Sequence, residues 1–216
     1  MAMPQVDLFY SYRSPFSYLS SGRLWAWAQE EGIDIHVRPV QPIAIRDPEM
    51  FRDANPKLPP YIFRDAMRSA DFLGIPYRWP NPDPVEMTFT PFRVAPEQPL
   101  IDRLNRLGVV AGRSGRSMAF TAEVGALMWS GAVADWTQGT HLADAVARAG
   151  LTLEAMEQVI ANEADTLDAE VVANQAALEA AGHWGVPTMV FDGEPFFGQD
   201  RIEMLKWRVA ASRTKT

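Results

Sequence analysis

Residues 11–19 read Ser-Tyr-Arg-Ser-Pro-Phe-Ser-Tyr-Leu, and this stretch decides how the first part of the chain folds. Serine is a favoured N-cap, and proline at the first helical position loses nothing by lacking an N–H. Ser14 followed by Pro15 therefore predicts the start of a helix. The face that we expect to pack inward consists of Tyr18, Gly22 and Trp25, with Leu19 and Ala26 beside them.

Short strands are predicted on both sides of this helix. Residues 6–10 are rich in Val, Leu, Phe and Tyr, as strands are, and the serine-proline segment ends them. Gly32 predicts the end of the helix, because glycine accepts the left-handed backbone of a C-cap. Residues 33–40 then alternate apolar and polar side chains. The first part of the chain is therefore predicted to be a β-α-β unit.

The middle of the chain is predicted to be helical with proline breaks. Residues 61–73 carry one apolar stripe at helical spacing, and three later segments between residues 120 and 178 keep the same period. Residues 76–99 are proline-rich and are predicted to form a long irregular connection. The stripe on the first of these helices consists of Ile62, Ala66, Ser69 and Leu73.

Strand character returns near the C-terminus. Residues 186–191 predict a strand entered through a proline, Asp192-Gly193 predicts a tight hairpin turn, and residues 194–197 predict the returning strand. Ile202, Leu205 and Val209 then predict a last amphipathic helix. The order β-α-β, helices, β-β-α is what an insertion into a compact α/β domain produces.

Composition excludes several classes of function. The 216-residue chain has a net charge of -7, which makes it a poor binder of nucleic acid, because such binding needs clustered Lys and Arg. It has no cysteine, so protein-borne thiol chemistry and thiolate metal sites are excluded. His36, His141 and His183 lack metal-ligand spacing. We see no basic and apolar leader in residues 1–7 and no apolar run near the roughly 20 residues that span a membrane, so we expect a cytoplasmic protein.

Three segments together resemble the DsbA-like thioredoxin superfamily: residues 11–19, residues 185–188 (Gly-Val-Pro-Thr) and residues 196–201 (Phe-Phe-Gly-Gln-Asp-Arg). They are similar to its cysteine-free branch, which holds 2-hydroxychromene-2-carboxylate isomerases and kappa-class glutathione transferases. The resemblance implies an α/β, thioredoxin-like fold with a large all-helical insertion, and a homodimer. It assigns residues 1–40 and 182–216 to the thioredoxin-like domain, and residues 41–181 to the inserted helical domain.

The resemblance also implies a glutathione site. Ser14 would be the catalytic residue beside the glutathione sulfur, where the hydroxyl and the positive end of a helix dipole stabilise a thiolate. The residues that it implies as glutathione-binding are Asn55, Val186, Pro187, Gln199 and Asp200. The Val186-Pro187 bond would be cis, which exposes the main chain of Val186 to the cysteinyl part of the tripeptide. The chain departs from the family pattern at one position. Leu58 stands where the family usually has a lysine, and Lys57 comes one position earlier.

Purely structural interpretations of these site residues remain open. Ser14 and Asp200 would also serve as simple helix caps, and a trans proline would equally open a strand.

Other residues are candidates for contact with a substrate. Tyr12 and Arg13 flank Ser14 and could touch an acidic substrate. Trp79, Phe89 and Phe92 could line an apolar pocket or simply pack in the core.

Three functions follow for comparison. The first is a glutathione-dependent cis–trans isomerase of a small aromatic acid, in which a thiolate adds reversibly to a conjugated carbon. The second is a kappa-like transferase that conjugates glutathione to electrophiles. The third is a thioredoxin-fold binding protein without catalysis, for which the departure at Leu58 is the best argument.

Overall fold

The computed structural model describes residues 3–213, so residues 1–2 and 214–216 of the predicted thioredoxin-like domain lie outside it. The described strands are β1 (Gln5–Tyr10), β2 (Asp34–Pro39), β3 (Met87–Phe89), β4 (Phe92–Val94), β5 (Thr188–Phe191) and β6 (Glu194–Phe197). The described α-helices are α1 (Pro15–Glu31), α2 (Ile43–Arg46), α3 (Pro48–Arg52), α4 (Leu58–Leu73), α5 (Pro99–Arg113), α6 (Ser117–Trp129), α7 (His141–Arg148), α8 (Leu153–Ala180) and α9 (Ile202–Arg213). A short 3-10 helix, Gln199–Arg201, leads into α9.

The two ends of the chain meet in one sheet, as the sequence predicts. The strand order is β2-β1-β5-β6, with β1 parallel to β2 and antiparallel to β5. Phe9 of β1 lies opposite Thr188 of β5. Because β1 runs on into the loop before α1, this register brings that loop and the Val186-Pro187 segment to the same edge of the sheet.

The inserted segment is not entirely helical, which corrects one detail of the prediction. Residues 76–99, predicted to be irregular, contain the antiparallel hairpin of β3 and β4. The buried side chain of Gln98 closes the open end of this hairpin, because it bonds both the N–H and the C=O of Glu86 as well as the C=O of Ala95. Strands of three residues are too short to show a period of two, so the pattern could not reveal them.

The insertion packs against the sheet over a common core. A continuous cluster of buried side chains includes Leu8 of β1, Trp27 of α1 and Trp129 of α6. At the outer strand of the sheet, the N–H of Val37 donates to the Ser117 hydroxyl at the start of α6, over 3.1 Å. The division into two domains therefore stays a prediction, because one core includes residues of both.

The buried face of α1 differs from the predicted one. Tyr18 and Leu19 are buried as expected, but Gly22 and Ala26 are exposed. The buried row instead runs through Ser17, Ser20, Ser21, Leu24, Trp27 and Ala28. Serines can be buried here because the hydroxyls of Ser20 and Ser21 donate to carbonyls of the preceding turn, over 2.7 and 2.9 Å. Hydrophobic periodicity counts serine as polar and so misplaces the stripe.

We predict opposite effects of alanine at two helical glycines. A Cβ on Gly108 of α5 would lie 2.5 Å from the Tyr12 hydroxyl and 2.8 Å from Cγ of Pro39, both in the packed interior. Gly108→Ala should therefore lower the free energy of unfolding by about 1–3 kcal/mol through overpacking. A Cβ on exposed Gly22 of α1 would meet no neighbouring group within 4 Å. Gly22→Ala should therefore raise the free energy of unfolding by about 0.5–1 kcal/mol.

Urea unfolding monitored by circular dichroism measures both effects. A Gly108→Ala protein as stable as the wild type would contradict the close packing of α5 on Tyr12.

Candidate functional site

Ser14 lies between the end of β1 and the first turn of α1. Its backbone is extended (φ -95°, ψ 119°), and its N–H donates to the C=O of Ser11 over 3.0 Å. Its hydroxyl oxygen accepts a hydrogen bond from the N–H of Ser17 over 3.2 Å, and Pro15 takes the first helical position. The predicted N-cap is confirmed, and the side chain is only half-buried.

Capping leaves the Ser14 hydroxyl free for a second task. A hydroxyl has one O–H donor besides its lone pairs, and the bond from Ser17 uses only a lone pair. The N–H of Phe16 has no partner among residues 3–213, and the first turn of α1 contains no acidic side chain. The positive end of the helix is therefore not neutralised locally, and together with the serine O–H it can stabilise an anion such as a thiolate.

The Val186-Pro187 bond is cis, as predicted. The main chain of half-buried Val186 makes no hydrogen bond to any residue that the structure describes, so it is free to pair with an extended peptide. The C=O of Pro187 accepts a hydrogen bond of 2.9 Å from the N–H of Gly198. This bond joins the proline loop to the segment that follows β6.

The segment after β6 turns sharply at Gly198. Its φ of 104° favours glycine, and the carboxylate of Asp200 lies against the place that a Cβ would take. The next residue, Gln199, is held from α1, because Nη1 of Arg23 donates to both its C=O and its Oε1 over 2.9 Å. Asp200 pairs with Arg201 over 2.6 Å on the surface.

The architecture and the two loops match one sequence family. The profile of the DSBA-like thioredoxin domain matches residues 5–210, which is nearly the whole chain. The chain belongs to this family. No curated protein sequence matches it significantly.

Solved structures of other DsbA-like proteins share the fold. A 2-hydroxychromene-2-carboxylate isomerase has a TM-score of 0.72 at 22% identity, with 98% of this chain and 97% of that chain covered. A probable DsbA oxidoreductase from Streptomyces coelicolor has a TM-score of 0.65 at 18% identity, covering 99% and 91%. The cytosolic disulfide reductase DsbM from Pseudomonas aeruginosa has a TM-score of 0.57 at 16% identity, covering 89% and 87%. At these identities the likeness establishes the fold alone.

In this DsbA-like chain, the predicted site residues fall into two groups. Ser14, Val186 and Pro187 lie at one edge of the sheet, and the Gly198 bond connects Gln199 and Asp200 to them. Asn55 instead lines an open cavity of about 600 Å³ that none of the other predicted site residues lines. Its side chain accepts a hydrogen bond from the N–H of Lys57, which caps the turn before α4. The binding roles of all six residues stay predictions.

Leu58 also lines the Asn55 cavity, together with Pro60 and Tyr61, and little of its lining is polar. A lysine at position 58 would have placed a cation there. The leucine itself offers no partner to a peptide carboxylate, but Lys57 and Arg64 also line the cavity and keep positive charge beside it.

Sequence reasoning missed Arg23 and Asp83, and it gave little weight to Arg13. Arg23 did carry a signal, because it is the first charged residue of a helix that otherwise begins with apolar and small side chains. Asp83 carried none. It lies in the proline-rich stretch, and only the fold brings its carboxylate to within 2.9 Å of Nη2 of Arg13.

A set of five rings, which we call the aromatic wall, connects α1 to the insertion; its members are Tyr18, Phe63, Tyr77, Trp79 and Trp129. The ring of Trp129 lies 6.1 Å from Tyr18, 5.8 Å from Tyr77 and 5.0 Å from Trp79, centroid to centroid. Trp79 also contacts Phe63 at 4.5 Å. The hydroxyl of Tyr18, one turn after Ser14, donates to the C=O of Pro76 over 2.6 Å. The wall therefore borders the site, whereas Phe89 stands exposed on the β3–β4 hairpin.

The described part of the chain contains neither a metal-ligand cluster nor a helix that could span a membrane. Residues 3–213 contain no group of three or more His, Asp or Glu side chains placed to hold a metal ion. None of their helices is long and apolar enough to cross a membrane. His183, next to the proline loop, stacks on Phe197 at 4.0 Å, and its Nδ1 accepts a hydrogen bond from the N–H of Gly185. These contacts give the His183 side chain a structural role beside the proline loop.

Burial of the tyrosines predicts a fall in stability at alkaline pH. Burial raises the pKa of Tyr18 and Tyr77 from 10 to about 12 and also raises the pKa of Tyr10 and Tyr12. Their contribution to stability is therefore complete below pH 10, and it declines as the pH rises from 10 towards 12, because only the unfolded chain then ionises freely. We expect a constant melting temperature from pH 7 to 9 and a steep fall above pH 10.

The measurement uses a Tyr61→Phe background, which removes the exposed tyrosine. Tyrosinate absorbance at 295 nm should rise only together with loss of the circular dichroism signal. Ionisation in an intact fold would disprove the burial of these hydroxyls.

Proposed function

We propose that this protein is a glutathione-dependent isomerase of a small conjugated acid of the 2-hydroxychromene-2-carboxylate kind. The observation that carries the proposal is Ser14, a hydroxyl with a free proton at an unneutralised helix N-terminus. The likeness of the whole chain to a solved 2-hydroxychromene-2-carboxylate isomerase supports it.

The lack of cysteine separates this proposal from the oxidoreductases that share the fold. Thiol–disulfide exchange by the protein needs a cysteine thiolate, and the sequence has no cysteine. Any thiol chemistry must therefore use a thiol that a small molecule brings. Glutathione would supply that thiol, whose reversible addition to a conjugated carbon makes a double bond single and free to rotate.

The residues present fit glutathione at the sulfur and along the cysteinyl main chain. The Ser14 O–H and the N–H of Phe16 would hold the sulfur as an anion, which raises its reactive fraction at neutral pH. The unpaired N–H and C=O of Val186, next to Pro187, would bind the tripeptide main chain as an added strand does. These residues would thereby fix the direction from which the sulfur meets a substrate.

The fit at the γ-glutamyl end involves a further residue. Oε1 of Gln199 is occupied by Arg23, so the side-chain amide of Gln199 keeps only its N–H groups for a carboxylate. Arg23 adds a positive charge at the same place. The exposed carboxylate of Asp200 suits an α-ammonium group, although it shares its charge with Arg201. A contact from Asn55 to the glycine end, cytoplasmic location and a homodimer remain parts of the proposal.

Substitution of Ser14 tests the proposed mechanism. Ser14→Ala removes the donor to the sulfur and should lower glutathione-dependent kcat/KM for 2-hydroxychromene-2-carboxylate by about 100-fold or more, as loss of one preorganised donor does. It also removes the helix cap, which costs about 1 kcal/mol of stability. Ser14→Thr keeps the hydroxyl and the cap and should retain most activity. Ultraviolet absorbance of bound thiolate, followed against pH, should show a higher thiol pKa in the alanine variant.

The alternatives give different results in the same experiments. Turnover of a generic aryl halide, without isomerisation of the acid, would show a kappa-like transferase. Absence of glutathione binding in a calorimetric titration would favour the thioredoxin-fold binding protein without catalysis over both enzymes. An alanine variant with full isomerase activity would remove Ser14 from the mechanism.

A further inference from the structure

Arg13, the residue before Ser14, is almost buried, since only 10% of its side chain is exposed. Its Nε and Nη2 donate to the two carboxylate oxygens of Asp83 over 3.2 and 2.9 Å. The guanidinium lies over the ring of Trp79, with Cζ 4.9 Å from the centroid. Its third nitrogen, Nη1, makes no hydrogen bond to any residue that the structure describes. Two of the three nitrogens are therefore fixed, and one is available.

Asp83 holds the guanidinium in this orientation. Its carboxylate also accepts hydrogen bonds from Nε1 of Trp79 over 3.1 Å and from the N–H of Val85 over 2.9 Å. Four donors from three residues therefore fix the acceptor, and the planar fork of Arg13 must align with it. Asp83 is a positioning residue, and it leaves the remaining edge of the guanidinium free for a second acceptor.

A second donor belongs to the same aromatic cluster as Arg13. Trp79, which the guanidinium covers, and Tyr77 both contact the ring of Trp129, at 5.0 and 5.8 Å. The hydroxyl of Tyr77 is buried and has no hydrogen-bond partner among residues 3–213. Burial raises the pKa of Tyr77, and the charge of Arg13 lowers it by a smaller amount. Because the pKa remains about 12, the phenol keeps its proton at neutral pH and can donate. A buried donor without a partner is unfavourable, and a bound acceptor would remove that penalty.

We propose that Arg13 and Tyr77 bind the carboxylate of a planar aromatic acid whose ring packs against the aromatic wall, which makes Arg13 the residue that selects acids over neutral analogues. Both groups are donors with a free position, and a carboxylate offers only acceptors. Trp129 and Tyr18 are buried behind the wall, so the apolar surface beside these donors comes from exposed Phe63 and half-buried Tyr77 and Trp79. The inference rests on the proposed function and deepens it, because it names the residues that recognise the acid.

Equilibrium binding tests the inference without turnover. The probes are chromone-2-carboxylate, a planar acid that cannot isomerise, and chromone-2-carboxamide, its neutral analogue. Calorimetric titrations of the full chain are run alone and in saturating glutathione. The wild type should bind the acid about 10- to 100-fold more tightly than the amide, as expected for hydrogen bonds to a charged group. Arg13→Gln should abolish this preference by weakening acid binding alone.

Two further variants separate recognition from folding. Arg38 of β2 is a matched control, since its Nε pairs with Asp7 over 2.9 Å and its Cζ lies 5.9 Å from the ring of Phe9. Arg38→Gln should leave the ratio of acid to amide affinity unchanged. Tyr77→Phe keeps the ring, removes only the hydroxyl, and should weaken acid binding several-fold without loss of thermal stability.

Each other outcome overturns the inference. It fails if the wild type binds acid and amide equally or binds neither probe. It also fails if Arg13→Gln weakens both probes alike, or if Tyr77→Phe leaves acid binding unchanged. Failure of the proposed function looks different, because glutathione-dependent turnover would then be absent while the preference for the acid persists. Turnover without that preference would keep the function and remove Arg13 from recognition.

Discussion

The hydrogen bond from the Ser17 N–H to the hydroxyl oxygen of Ser14 is the interaction on which the candidate site depends. It fixes the first turn of α1 at the end of β1, and it consumes a lone pair rather than the proton of the hydroxyl. Helix capping and anion binding are therefore compatible roles of one side chain. Because the chain has no cysteine, this end of the helix dipole offers a neutral hydroxyl donor and not a thiolate.

The insertion completes the surroundings of this helix end through contacts with the residues on either side of Ser14. Nε1 of Trp129 donates to the C=O of Tyr12 over 3.0 Å, and the Tyr18 hydroxyl donates to the C=O of Pro76 over 2.6 Å. The Arg13–Asp83 ion pair adds a third connection, partly shielded from water. Polar contacts in such a setting gain more than exposed ones and fix orientation as well as distance. One half of the site is thus built by the sheet and the other half by the insertion.

Sequence reasoning succeeded where the signal was local and failed where packing decided the outcome. The start of α1, its end at Gly32, the cis Val186-Pro187 bond and the β5–β6 hairpin were all predicted correctly. The two ends of α1 and the hairpin turn follow from the chemistry of the residues at those places. The cis bond was predicted from the family resemblance. The buried face of α1 was misplaced because serines that bond their own helix count as polar in any periodicity. The β3–β4 hairpin was missed because its strands are too short for a pattern.

Sequence signals alone established the order of helices and strands, the helix cap at Ser14 and the exclusion of protein-borne thiol chemistry. Caps, turns and periodicity act over a few residues, and composition depends on no contact at all. Which charged groups meet depends instead on tertiary packing. Arg13 and Asp83 are 70 positions apart, and Arg23 and Gln199 are 176 positions apart. No local pattern pairs residues at such separations, since their contact exists only after the sheet has joined both ends of the chain and the insertion has packed against it.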